Sequence, residues 1–142
     1  MEKIYDILKQ EHERVMQLFD EAISSNSKDV FMQLKSELDI HMTGEEKLYY
    51  PQLENKKEAS EVALEGYEEH HVAKMLLSEL EKTPTDDKRW LAKMKVLKET
   101  VEHHVQEEES EIFEKSRRVL SDSQAEEIAS KYMDFKQQEQ KS

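Results

Sequence analysis

His41-Met42-Thr43-Gly44-Glu45, followed by Leu48-Tyr49-Tyr50-Pro51, is matched in kind by His104-Val105-Gln106-Glu107-Glu108, followed by Ile112-Phe113-Glu114. In each stretch a His and a Glu stand four residues apart, so on a helix both side chains leave one face, a turn apart. That face is otherwise apolar. It carries Phe31, Leu34, Leu38 and Leu48 around the first pair, and Trp90, Met94, Leu97, Val101 and Ile112 around the second. Steps of three and four residues are the core-facing spacing of helices in a bundle. A carboxylate desolvated beside an imidazole is costly without a counter-charge. A metal ion is the simplest partner that satisfies both pairs.

Working outward, 142 residues make one domain with room for a core, and with two Gly and two Pro the chain favours helix nearly throughout. No segment alternates apolar and polar residues around a hairpin turn, so the expected class is all-α. Helices are expected over about 2–24, Lys28 to Tyr50, about 58–81, Asp87 to Arg118 and about 122–138. Asn26 or Ser27 should cap the second, Thr85 or Asp86 the fourth, and Ser121 with Gln124 should form a capping box for the fifth. The second helix should stop at Tyr50, because the residue before a proline avoids helical angles. Short connections imply antiparallel neighbours, hence an up-down-up-down four-helix bundle over 1–118. Residues 119–142 then form a short C-terminal fifth helix and polar tail, packed on or extending from the bundle, whose stripe of Ile128, Tyr132 and Phe135 can cap the bundle or meet a partner, capping being favoured.

The chain carries 33 acidic and 21 basic residues, a net charge of −12, which argues against nucleic acid and anionic membrane as partners. It has no cysteine, so disulfides and thiolate metal sites are excluded. Met1-Glu2-Lys3-Ile4 opens an amphipathic pattern at once, without the apolar run of a signal peptide, and no stretch reaches the ~20 apolar residues of a membrane span. A cytoplasmic protein is expected, as a monomer or weak homodimer.

The remaining histidines extend the pattern. His12 lies on the stripe of Leu8 and Val15. The third helix offers His70 and His71; the continuous stripe Ala63, Tyr67, Ala73, Leu77, Leu80 selects His70. The same register turns His103 away from the seam and His104 into it. The candidate metal ligands are therefore His12, His41, Glu45, His70, His104 and Glu108. Four imidazoles and two carboxylates exceed a four-coordinate zinc site. They suit two ions with each Glu able to bridge and positions left for a small ligand. Mixed His/carboxylate ligation of this kind points to iron first, with manganese or zinc as substitutes. Each imidazole needs an acceptor for its second N–H. Met16, Met42, Met75 and Met94 are read as gap-filling core, and Tyr49, Tyr50 and Trp90 as core or rim.

In this order the pattern resembles the hemerythrin-like (HHE) cation-binding family over about residues 1–118. The resemblance implies a four-helix bundle with an oxo- or hydroxo-bridged di-iron centre, the four His as terminal ligands and Glu45 and Glu108 as bridges. It implies a protein that binds dioxygen, nitric oxide or peroxide, in sensing, storage or the handling of iron and oxidative stress. The alternative is catalase-like or peroxidase-like turnover of hydrogen peroxide. Two departures count against simple oxygen transport. Lys74 stands where the oxygen carriers have a further His one turn after the third-helix His, and Glu108 stands where they use Asp at slightly longer spacing. A ferritin-like oxidase needs Glu-x-x-His on two helices, and only Glu68-x-x-His71 matches.

Overall fold

The computed structural model describes residues 1–141, and among these every regular element is helical. In chain order they are α1 (Ile4–Ser25), α2 (Lys28–Gly44), α3 (Pro51–Glu54), α4 (Ser60–Glu81), α5 (Lys88–Glu107), α6 (Phe113–Val119) and α7 (Asp122–Gln140). Two π-helical segments, Glu45–Tyr49 and Glu108–Ile112, join α2 to α3 and α5 to α6 without a break. The chain thus forms four long rods: α1, α2–α3, α4 and α5–α6. Rods α1 and α2 pack as one pair and α4 and α5 as another, α1 meets α5 and α2 meets α4, and α7 lies across α1 and α2.

Local chemistry sets the ends. Asn26 closes α1 in the left-handed conformation at φ 54°, which asparagine tolerates. Ser27 accepts from the Val30 N–H to cap α2. The cap of α5 is Asp87, which accepts from the Arg89 N–H, rather than Thr85 or Asp86. Thr85 instead belongs to the loop, where its carbonyl accepts from the Asn26 amide. Ser121 and Gln124 form the expected capping box of α7.

Pro51 does not stop the second rod, contrary to expectation. Tyr50 keeps helical angles (φ −58°, ψ −37°) and Pro51 takes the first position of α3. A proline ring normally collides with the carbonyl four residues back. Here the preceding turn is the wider π kind, with the Tyr50 N–H bonded to the Glu45 carbonyl at 2.8 Å, and Pro51, which has no N–H to place, opens the next helical turn. The extra residue also rotates everything downstream by about 100°. Leu48, expected on the seam, is therefore only half-buried, while Tyr49 and Tyr50 are both fully buried.

Two apolar clusters fill the bundle. One joins Tyr5, Leu8, Tyr49, Leu53, Phe113 and, from α7, Ile128 and Tyr132. The other joins Phe19, Phe31, Leu34, Leu77, Trp90 and Leu97. Every rod passes from one cluster to the other, and the candidate ligands fall at the crossing. Met42 and Met94 are core, whereas Met75, expected there, is exposed on the outer side of α4. Among the described residues no helix is long and apolar enough to cross a membrane.

Candidate metal centre

At the crossing, α1 supplies His12, α2 His41, α4 His70 and α5 His104, while Glu45 and Glu108 are the first residues of the two π-segments. All are buried, and both carboxylates are wholly inaccessible. His12 Nε2 lies 3.1 Å from Glu108 Oε1, His41 Nε2 3.4 Å and His70 Nε2 3.0 Å from Glu45 Oε1, and His104 Nε2 3.6 Å from Glu108 Oε2. The ligand atoms form two overlapping groups, each within 4.8 Å: His12, His41, Glu45 and Glu108, and Glu45, His70 and His104. Glu45 belongs to both. Glu108 turns one oxygen to His12 and the other to His104.

These donors fit a cation. Glu45 Oε2, Glu108 Oε1 and His12 Nε2 are buried without a hydrogen-bond partner, a costly arrangement for a protein interior unless an ion completes it. The electrostatics agree. Burial works against a charged His12, yet Glu108, Glu45 and Glu109 raise its pKa to about 9. Burial likewise opposes charge on His104, yet Glu108, Glu45 and Glu69 hold its pKa well above the usual range. Glu108, which burial alone would neutralise, is held well below the carboxylate range by the polar groups crowded around it, His104 and His12 among them. The cluster demands positive charge at its centre, and protons or a metal ion can supply it.

Around the ligands runs a ring of outer carboxylates that sequence reasoning did not name. Each inner imidazole points Nε2 inward and presents Nδ1 to a Glu on the neighbouring rod. Glu11 of α1 meets His41 at 2.8 Å, Glu46 meets His70 at 2.7 Å, Glu69 of α4 meets His104 at 2.6 Å, and Glu109 meets His12 at 2.7 Å. Such carboxylates fix the tautomer and orientation of a ligating ring. The signal in the sequence is the doublet: Glu11-His12, Glu45-Glu46, Glu69-His70 and Glu108-Glu109, one residue serving its own rod and its neighbour the next. Glu11 is held at about 2, burial being outweighed by His41, Lys136 and Tyr132.

Tyr50, read from sequence as core or rim, enters the centre itself. Its hydroxyl donates to Glu108 Oε2 and lies 3.4 Å from Glu45 Oε1 and 3.3 Å from His104 Nε2. Its ring stacks on His70, 5.4 Å between centroids. Gly66 makes room for it, since a Cβ there would lie 2.9 Å from the Tyr50 ring. Lys74, at the position of the absent fifth His, turns away and donates to Glu46 at 3.0 Å. His71 is exposed. His103 is also exposed and pairs with Glu107 at 3.1 Å. An apolar cavity of about 20 Å³ adjoins the four imidazoles, walled by Leu38, Ala73 and Val101.

Fold and site together define a helical-bundle protein with a buried His/carboxylate cation site. The hemerythrin HHE cation-binding domain profile matches residues 3–116, and the chain belongs to that family. The crystal structure of a hemerythrin HHE cation-binding domain-containing protein from Mycobacterium kansasii superimposes with a TM-score of 0.80 at 27% identity, covering 95% of this chain and 88% of that one. A DNA nickase of Nostoc sp. (strain PCC 7120) is 28% identical over 133 residues, 91% of this chain but only 38% of the nickase.

Proposed function

We propose that this protein holds two iron ions and binds a small ligand of the dioxygen, nitric oxide or peroxide class, in sensing, storage or the handling of iron and oxidative stress. The observation that carries the reading is the pair of overlapping donor groups sharing Glu45, with Glu108 turned toward both. One ion would be held by His12, His41, Glu45 and Glu108, the other by His70, His104, Glu45 and Glu108, with the Tyr50 hydroxyl beside the second. Imidazole with carboxylate suits iron, with manganese or zinc able to substitute. Bound iron would supply an open coordination position and one-electron redox chemistry.

The protein's own groups do the rest. The outer carboxylates hold each Nδ1 proton, leaving Nε2 free to ligate. Burial raises the Tyr50 pKa well above the phenol range, so the hydroxyl keeps its proton and donates it to Glu108. A cavity of about 20 Å³ is room for one water-sized ligand, and its apolar wall excludes larger polar molecules. Turnover of hydrogen peroxide is the second reading, favoured by one feature: the Tyr50 hydroxyl is a proton-bearing group inside the donor set. The nickase activity is a property of a much longer protein, and a net charge of −12 opposes a phosphate backbone.

The test is anaerobic purification after expression with iron, followed by metal analysis and the visible spectrum before and after air. About two irons per chain, near-ultraviolet absorption on oxygenation, and loss of both in a His41→Ala, His104→Ala variant are expected for a centre of this ligand number. A folded protein that takes up no metal overturns the reading. Steady peroxide turnover would select the second reading over the first.

A further inference from the structure

We propose that α7 is a positioning element for the metal centre: Tyr132 and Lys136 fix Glu11, and Glu11 fixes the ring of His41. The inference rests on the metal-binding reading above but concerns groups that are not ligands. The Tyr132 hydroxyl donates to Glu11 Oε1, the same oxygen that meets His41 Nδ1 at 2.8 Å. Lys136 Nζ donates to the other oxygen, Oε2, at 2.7 Å. Both carboxylate oxygens are thus taken, three bonds converge on one side chain, and two of them come from α7.

Two further observations separate positioning from mere capping of an apolar end. First, a cavity of about 200 Å³ opens between α1, α2 and α7, bordered by Glu11, His41, Met133 and Lys136. Packing therefore leaves Glu11 room to turn, and its rotamer is set by the bonds. Second, α2 gives up a side chain where Tyr132 passes. A Cβ on Gly44 would lie 2.4 Å from Cε2 of the Tyr132 ring. Glycine inside a helix is destabilising against alanine, and here it seats the phenol whose hydroxyl reaches Glu11. Glu46, by contrast, is fastened within the bundle, by Lys74 at 3.0 Å. Covered by α7, Glu11 is the least exposed of the four at 13%, against 21, 24 and 32% for Glu69, Glu46 and Glu109.

The experiment is a Tyr132→Phe, Lys136→Met double variant, which keeps the ring and the aliphatic stem while removing both donors. Its first readout needs no metal: long-range proton–nitrogen correlation of the His41 ring at alkaline pH. Wild type is expected to hold one tautomer, protonated at Nδ1; the double variant is expected to show a mixture. The second readout is competition of cobalt(II) between protein and a chelator, where the double variant is expected to bind about 10- to 100-fold more weakly, the usual effect of losing an outer partner. In a Glu11→Gln background the same two substitutions should add nothing, because they act through Glu11. Unchanged His41 tautomer and cobalt affinity in a folded double variant overturn the proposal. So does an equal loss in the Glu11→Gln background. Should the double variant not fold, Lys136→Met alone is measured in the same two ways, and the same outcomes support or overturn the proposal. If wild type binds no cobalt, the metal reading fails, while the tautomer measurement still decides whether α7 orients His41.

Discussion

The rods α2–α3 and α5–α6 make the same turn in the same place and then finish it with different residues. Each carries His one helical turn before a Glu that opens a π-segment, and each ends that segment against a ring that stacks on the imidazole of another rod. In the first rod that ring is Tyr50 on His70, with centroids 5.4 Å apart; in the second it is Phe113 on His12, 6.5 Å apart. A single hydroxyl separates them. On the Tyr50 side, Glu45 Oε1, Glu108 Oε2 and His104 Nε2 all have a polar neighbour. On the Phe113 side, Glu108 Oε1 and His12 Nε2 face each other 3.1 Å apart without making a hydrogen bond. The halves share a backbone plan and differ in chemistry, so two ions held there would differ in the polar groups around them.

The strongest way to break the comparison is to remove what both halves share. Glu108→Ala should abolish metal uptake by elemental analysis, a loss beyond the about 100-fold that an outer partner commands, and it should affect both halves together. Retention of one full ion would mean the halves are independent. Tyr50→Phe makes the two sides alike. It removes a buried hydrogen bond to a charged acceptor, so a loss of about 1.5–3 kcal/mol in denaturant unfolding of the protein without added metal is expected. An unchanged midpoint would place the hydroxyl outside the charge balance. Glu69→Gln and Glu109→Gln sharpen the contrast one side at a time: each should weaken cobalt binding by about 10- to 100-fold. The less exposed Glu69 should give the larger effect. The smallest change is Gly66→Ala, which drives a methyl into the Tyr50 ring. Overpacking of about 1–3 kcal/mol, offset by about 1 kcal/mol of helix propensity, leaves a modest fall in melting temperature. A rise in stability would show that the Tyr50 ring can move without cost.

Apolar periodicity makes the rods and the inward histidines legible, because steps of three and four survive in any helix that faces a core. His70 and His71 are separable for that reason: Ala73, Leu77 and Leu80 share the face of His70, and the structure buries His70 while exposing His71. The π-segments are not legible. One extra residue in a hydrogen-bonding pattern leaves no mark on composition, so an unbroken α-helical register runs the seam through Leu48 and assigns Tyr50 to core or rim. Pro51 reads as a stop for the same reason. The outer carboxylates are hidden differently. Among 33 acidic residues, nothing local distinguishes a Glu that crosses to the next rod from one that faces solvent; only the repeated doublets mark them.

Each rod gives one carboxylate to the next and receives one through its own histidine, and the order runs α1 to α2, α2 to α4, α4 to α5, and α5 back to α1. The four rods are therefore hooped at mid-height. No rod can peel away without parting two charge-assisted links, each worth about 1.5–3 kcal/mol. Amide exchange should accordingly be slowest around the waist of the molecule and quicken toward both ends.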